Sequence, residues 1–354
     1  MPHHSNYAMG AAADAAALFL WMALMSVRIR HAMITAMVSL LFLSGCATPP
    51  HVGNGFANLP PLCPLPAAPA NRYTAAMTPY HVTTDTTEQI ATQTGNFMAL
   101  AVSGYRRVTG LEVTTSAPLN IIIYRSEREF HSQLRRHGLP SRATGFYSPR
   151  PPAAIHVLWK DRYGTHPYVT LIHEGVHQLS DVTTPPSSTT AKNWPTLFPL
   201  WLNEGLAVFM EGAIASETAL HPGQIQQDRL RHLQTILAEQ KVNLAKLLGH
   251  PYDKRFTNQD YSVAWGLCFA LYHGLQCDGS WSGTNQLPRL IAQLQQTARD
   301  TPTDSSWQEK MAQQSLQWFS TQLAQQGGFD IWQQQWQAAM LHLNPEDPFG
   351  GLEK

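Results

Sequence analysis

The chain has 354 residues, enough for one large domain or two modest ones with ample material for a core. Lysine plus arginine equals aspartate plus glutamate at 24 each, so no global field recruits nucleic acid or an anionic membrane. Charged residues make up only 14%, and glutamine, threonine and alanine take their place, which suits a secreted or envelope protein no less than a cytosolic one.

At the amino terminus Arg28, Arg30 and His31 form a positive region and Ala32 to Leu43 an apolar run. That run is too short for a membrane-spanning helix, which needs about 20 residues. Leu43-Ser44-Gly45-Cys46 follows, and it resembles the lipobox of bacterial lipoproteins. The resemblance implies that residues 1–45 are a signal peptide, with Met25 a competing start, and that Cys46 is acylated and holds the protein on a membrane. Ala47 is not the Asp that retains some lipoproteins at the inner membrane, so the expected address is the outer membrane, with the globular part outside the cytoplasm. The alternative is a plain amino-terminal anchor that also uses Ala11 to Val27. Residues 46–70 carry Pro49, Pro50, Pro60, Pro61, Pro64, Pro66 and Pro69 and read as an extended tether. With Cys46 acylated, Cys63, Cys268 and Cys277 remain; a Cys268–Cys277 bridge and a buried core thiol at Cys268 both stay open.

The folded part opens with a strand at Tyr80 to Thr84 and a helix from about Thr87 to Arg107. Leu119 to Tyr124 carries the continuous Ile121-Ile122-Ile123 of a buried strand. Ser126 with Glu129 predicts a capping box for a helix running to His137, closed by Gly138. Ala154 to Trp159 reads as a further strand. Thr165 is the expected cap of the next helix, with Pro167 in its first turn.

That next helix carries His173-Glu174-Gly175-Val176-His177. H-E-x-x-H on a helix sets two imidazoles four residues apart on one face, and the Glu beside them reaches a water held by the same metal. Val169, Leu171, Ile172, Val176 and Leu179 supply the apolar flanks. Downstream, Trp201-Leu202-Asn203-Glu204-Gly205-Leu206-Ala207 places one carboxylate in an apolar, helix-compatible run. His173, His177 and Glu204 make a His₂Glu set for one zinc ion, which in catalytic sites keeps a fourth position open. This pairing resembles the gluzincin metallopeptidases, and within them the bacterial peptidase-MA-like proteins of largely unassigned function. The resemblance covers most of residues 78–343, extending more weakly to Thr144-Gly145-Phe146-Tyr147-Ser148-Pro149 and to Tyr261-Ser262-Val263-Ala264-Trp265. It implies one Zn²⁺ at His173, His177 and Glu204 and a general base at Glu174. By the same analogy, the strand before the metal helix, Ala154 to Trp159, borders the cleft and pairs with an extended substrate. Two departures stand out: a Pro185-Pro186-Ser187-Ser188-Thr189-Thr190 insertion between the ligand helices, and no G-x-M-E-N motif of the kind that captures a substrate amino terminus.

Beyond Glu204 the chain reads as helical at Asn258 to His273, stopped by Gly274, then Leu287 to Ala298, Ser306 to Gln325 and Ile331 to Leu343. Trp332 and Trp336, four apart, read as core contacts, and the many glutamines as solvated helix faces. The expected fold is therefore α+β and zincin-like. A small mixed-sheet α/β half, residues 71–182, ends in the H-E-x-x-H helix. A mostly helical half, residues 183–354, carries Glu204, with the cleft between them.

The chemistry expected of this set is hydrolysis of a peptide or protein substrate, with Glu174 as base and a further group to stabilise the oxyanion. Gluzincins commonly place a Tyr or His on a helix after the Glu ligand, which singles out Tyr261; His250, Tyr252 and Tyr147 compete with it. Asp181 and Glu211 are candidate acceptors for the outer nitrogens of the liganding histidines. Two other readings stay open: a catalytically silent envelope binding or assembly lipoprotein, and a zinc hydrolase of a non-peptide amide such as a peptidoglycan cross-link.

Overall fold

The continuous apolar strand Leu119–Tyr124 lies at the centre of a five-stranded mixed sheet. In the computed structural model the strands are β1 (Tyr73–Met77), β2 (Tyr80–Thr84), β3 (Leu119–Tyr124), β4 (Gly145–Ser148) and β5 (Ala154–Leu158), in the order β1-β2-β3-β5-β4. The structure describes residues 59–346, except 60–61, 63, 68–70, 114–116, 163, 185–195, 240–241, 252–255, 302–305, 325–326 and 345. The Pro185–Thr190 insertion, Tyr252, Cys46 and Cys63 lie outside these residues.

Strands β2, β3 and β5 are parallel, while β1 pairs antiparallel with β2 and β4 antiparallel with β5. A parallel β2–β3 pair needs a crossover, supplied by helix α1 (Glu88–Thr109), which Thr87 caps at its start and Gly110 ends in the left-handed conformation. Helix α2 (Glu127–Arg136) follows β3. Both faces of the sheet are covered, which explains the unbroken isoleucine run. Ile121, Ile123, Ile155 and Val157 enter the main core with α1, whereas Tyr124, Phe146 and Leu158 join Phe130 and Leu134 of α2 in a smaller one.

Helix α3 (Pro167–Val182) packs against the sheet, and the remainder of the chain is mostly helical. Its helices are α4 (Leu200–Glu211), α5 (Gln227–Glu239), α6 (Leu244–Leu248), α7 (Asn258–His273), α8 (Leu287–Asp300), α9 (Trp307–Leu323) and α10 (Phe329–His342), with a two-stranded ribbon of β6 (Ile214–Ala215) and β7 (Leu220–His221) after α4. The expected mixed α/β half and helical half are both present. Trp332 and Trp336 are core residues, their indole N–H groups donating to the carbonyls of Leu275 and Gly266.

Several local expectations are corrected. His166, not Thr165, is the cap of α3: its Nδ1 accepts from the Tyr168 N–H, because Pro167 opens the helix and the cap must immediately precede it. Ser126 does cap α2, but the Glu129 carboxylate turns away to Arg72, 3.3 Å off, so that half of the expected capping box is not made. Cys268 and Cys277 are free thiols. Cys268 is fully buried on α7 beside Gly205 of α4, the core-thiol alternative. Leu59, Leu62 and Leu65, in the stretch that reads as tether, pack against the main core, and the Leu65 carbonyl accepts from Arg125 at 3.4 Å.

Candidate metal centre

Four elements build the site. Helix α3 brings His173, Glu174 and His177 on adjacent turns, and Gly175 between them lets α1 approach: a Cβ there would lie 2.2 Å from the Tyr105 hydroxyl, which donates to the Ile172 carbonyl. Helix α4 crosses α3. Its side chains are buried nearly all round, as its apolar sequence requires, and the exceptions are Glu204 and Glu211. These two carboxylates are seven residues apart, two turns along one face, so the same stripe of α4 presents both to α3.

Glu204 Oε2 lies 3.7 Å from His173 Nε2 and 3.8 Å from His177 Nε2. Among the described residues, His173, His177 and Glu204 form the group whose ligand atoms all fall within 4.8 Å of one another. Donors around a four-coordinate ion at about 2.1 Å stand roughly 3.4 Å apart, close to the separations found. Glu211 Oε1 sits 2.7 Å from His173 Nδ1. It therefore accepts from the Nδ1–H and leaves Nε2 facing Glu204 and His177, the tautomer a metal ligand needs. Of the two acceptor candidates, Glu211 fills the role for His173; Asp181 bonds instead to the Tyr147 hydroxyl.

Without a cation, the same carboxylates favour a second proton on the His173 ring. Burial by itself pushes His173 down, but Glu211, Glu174 and Glu204 reverse this and raise it to about 9. Arg229, 3.9 Å from Glu211, is a weak offset to three gathered carboxylates. Such a cluster calls for a cation. The buried Nδ1 of His177 has no hydrogen-bond partner among the described residues.

Glu174 is 9% exposed and stands beside the donor set without joining it; its Oε2 accepts the backbone N–H of Tyr147 at 2.8 Å. Tyr261, near the start of α7, is brought to the site. Burial raises its phenol, and after it the charge of the nearby Glu204 carboxylate. His250 is not brought there. Its Nδ1 bonds to the Pro251 carbonyl and its ring meets Phe256, which separates it from Tyr261. A cleft of ≈ 210 Å³ opens over the site, lined by Tyr147, Pro149, His177, Asp181, Thr196, Asn203 and Glu204.

The strand at the rim is β4, not Ala154–Leu158. The latter is interior, flanked by β3 and β4, because the chain from Gly145 folds back antiparallel along it. The short G-F-Y-S run lacks a distinctive strand signal, so periodicity passes over it.

Fold and site together define a mixed α/β protein with a candidate His₂Glu metal centre. A protein family described as being of unknown function, DUF1570, matches residues 168–304, less than half of the chain. That stretch takes in His173, Glu174, His177, Glu204, Glu211 and Tyr261 and leaves out the five-stranded sheet. No curated protein matches the chain.

Proposed function

We propose that this chain is a zinc-dependent hydrolase of the gluzincin type, acting on peptide bonds and held at a bacterial envelope, the outer membrane by preference, through a lipid on Cys46. The observation that carries the reading is Glu174: a buried carboxylate next to the His173–His177–Glu204 donor set, outside it, and oriented by a backbone N–H at 2.8 Å. A ligand would stand within the donor set, and a merely structural carboxylate would be paired with a cation; Glu174 has neither arrangement among the described residues.

His173 and His177 through Nε2, with Glu204, would hold the ion, and the donor set fits zinc by ligand type and number. When bound, zinc acidifies a water and polarises a carbonyl. Glu174 takes the proton from the attacking water on its free oxygen and passes it to the leaving amine. Tyr261, kept protonated by burial and by Glu204, is a neutral donor for the developing oxyanion. Glu211 keeps the His173 ring in place throughout. A peptide is preferred as substrate because the H-E-x-x-H and W-L-N-E-G-L-A segments resemble those of the gluzincin metallopeptidases.

The test is metal content followed by turnover. The purified protein should carry about one zinc per chain, and Glu204→Ala should lose it. The zinc-loaded protein should hydrolyse a peptide library, Glu174→Gln should not, and murein offered in parallel separates a peptide from a non-peptide amide. A well-folded protein that takes up no zinc sinks the reading.

A further inference from the structure

Strand β4 is an edge strand, so every second residue turns its N–H and C=O away from the sheet. The Leu158 N–H donates to the Thr144 carbonyl at 3.2 Å, which makes Thr144 an inward position and, by alternation, Gly145 and Tyr147 outward ones. The next outward residue is Pro149, which has no N–H. Tyr147 is thus the last outward donor of the edge, and it is satisfied by Glu174. At the other outward position a Cβ on Gly145 would lie 2.4 Å from Thr170 Cγ2, so the strand runs flush along α3.

Glu174 and Asp181 are seven residues apart on α3, hence on one stripe and about 10 Å apart along the axis. Tyr147 spans both: its N–H meets Glu174 and its hydroxyl donates to Asp181. Beyond Ser148 the chain runs through Pro149, Pro151 and Pro152, three residues with no N–H to extend the ladder. The side-chain bond to Asp181 secures the strand where backbone bonding stops.

We infer that Tyr147 is a positioning residue for Glu174: its hydroxyl, held by Asp181, latches β4 to α3 so that its backbone N–H fixes one oxygen of the Glu174 carboxylate and leaves the other for the reacting water. The inference rests on the hydrolase reading and adds a residue that the ligand motif does not contain. Burial, and after it the Asp181 charge, push the Tyr147 phenol upward, so the latch keeps its proton at neutral pH.

The test uses the zinc-loaded protein with Tyr147→Phe, Asp181→Ala, Asp181→Asn and the Tyr147→Phe/Asp181→Ala double variant. Tyr147→Phe and Asp181→Ala should each lower kcat about tenfold with KM within about twofold and zinc content unchanged. Asp181→Asn, whose amide oxygen still accepts the phenol, should keep most of the rate. The double variant should be no slower than either single one, because both break one latch. A crystal structure of Tyr147→Phe should show Glu174 turned off the Tyr147 position's N–H. An unchanged kcat in Tyr147→Phe, additive losses, Asp181→Asn as slow as Asp181→Ala, or an effect on KM alone would each overturn the latch. Zinc content and melting of each variant separate these results from misfolding. A wild type that turns over no substrate defeats the hydrolase reading and the latch with it, whereas turnover indifferent to Tyr147→Phe defeats the latch alone.

Discussion

At the scale of single residues, the site divides into groups that a local pattern announces and groups that only the fold assembles. His173, Glu174 and His177 are legible because three chemistry-bearing residues at helical spacing put both imidazoles on one face. Glu204 is legible because a lone carboxylate in an apolar helix demands a partner. Glu211 is different: its position seven residues after Glu204 makes it one candidate acceptor beside Asp181, and only the crossing of α4 over α3 decides between them. Its 2.7 Å contact with His173 Nδ1 leads to a prediction. Glu211→Gln keeps the shape and can still accept one hydrogen bond, but it removes the charge that favours the Nδ1–H tautomer and raises His173. Zinc affinity should fall about 10- to 100-fold while the fold is retained. Competition with a chromophoric chelator would read this directly, and an unchanged affinity would mean that Glu211 is only a packing neighbour.

At the scale of elements, the most extensive helix contact in the site is α4 on α7, and Gly205 lets the two backbones approach. A Cβ there would stand 2.9 Å from the Ala264 carbonyl oxygen and 2.9 Å from Cys268 Sγ. Backbone cannot yield as a flexible side chain can, so Gly205→Ala should cost about 2 kcal/mol, read in chemical denaturation. The helix must move away from α7, and Glu204, the residue before, moves with it. Zinc affinity should therefore drop in the same variant. Adding Cys268→Ala removes one of the two obstacles and should restore part of the stability but not all. Helix contacts of this kind explain what periodicity alone misses. Strands β1 and β4 are short and their polar and apolar residues do not alternate cleanly, so each is defined by the neighbour it pairs with. Helix α5 carries few apolar residues and is defined by α7 and α10 packed against it, while α6 is only five residues long and is defined by its packing against α9. Among the long helices, the Thr87 start of α1 and the Gly274 stop of α7 are legible in the sequence, whereas the cap of α3 falls one residue later than expected.

At the scale of the whole molecule, Leu59, Leu62 and Leu65 join the stretch expected to be tether to the same core as α7, so cooperative unfolding draws on residues well before β1. The pH dependence of that unfolding has an identifiable source on the other face of the sheet. His156 of β5 is 7% exposed, its ring parallel to that of Phe146 with centroids 4.5 Å apart, and its Nδ1 is 2.8 Å from the Tyr124 hydroxyl. Burial, and then the nearby charges of His137 and Arg72, push it down from the usual 6.5 to about 4. The folded state thus binds its proton less readily than the unfolded chain. Stability from this group is complete above about pH 6.5 and is lost as the pH falls towards 4, up to about 3 kcal/mol in all. Burial pushes His137 and His273 in the same direction, with Arg150 also acting on His137 and the Gly223 carbonyl partly opposing the shift on His273. Acid also releases a bound metal by protonating its ligands, so the informative quantity is a difference between variants. His156→Gln keeps a partner for the Tyr124 hydroxyl and removes the titrating group. Denaturation midpoints of wild type and His156→Gln, followed from about pH 7 to about pH 4, should converge as the pH falls, the wild type losing its advantage. Parallel profiles would show that His156 titrates alike in both states, and the acid sensitivity would then belong to the other groups, His137, His273 and the metal ligands.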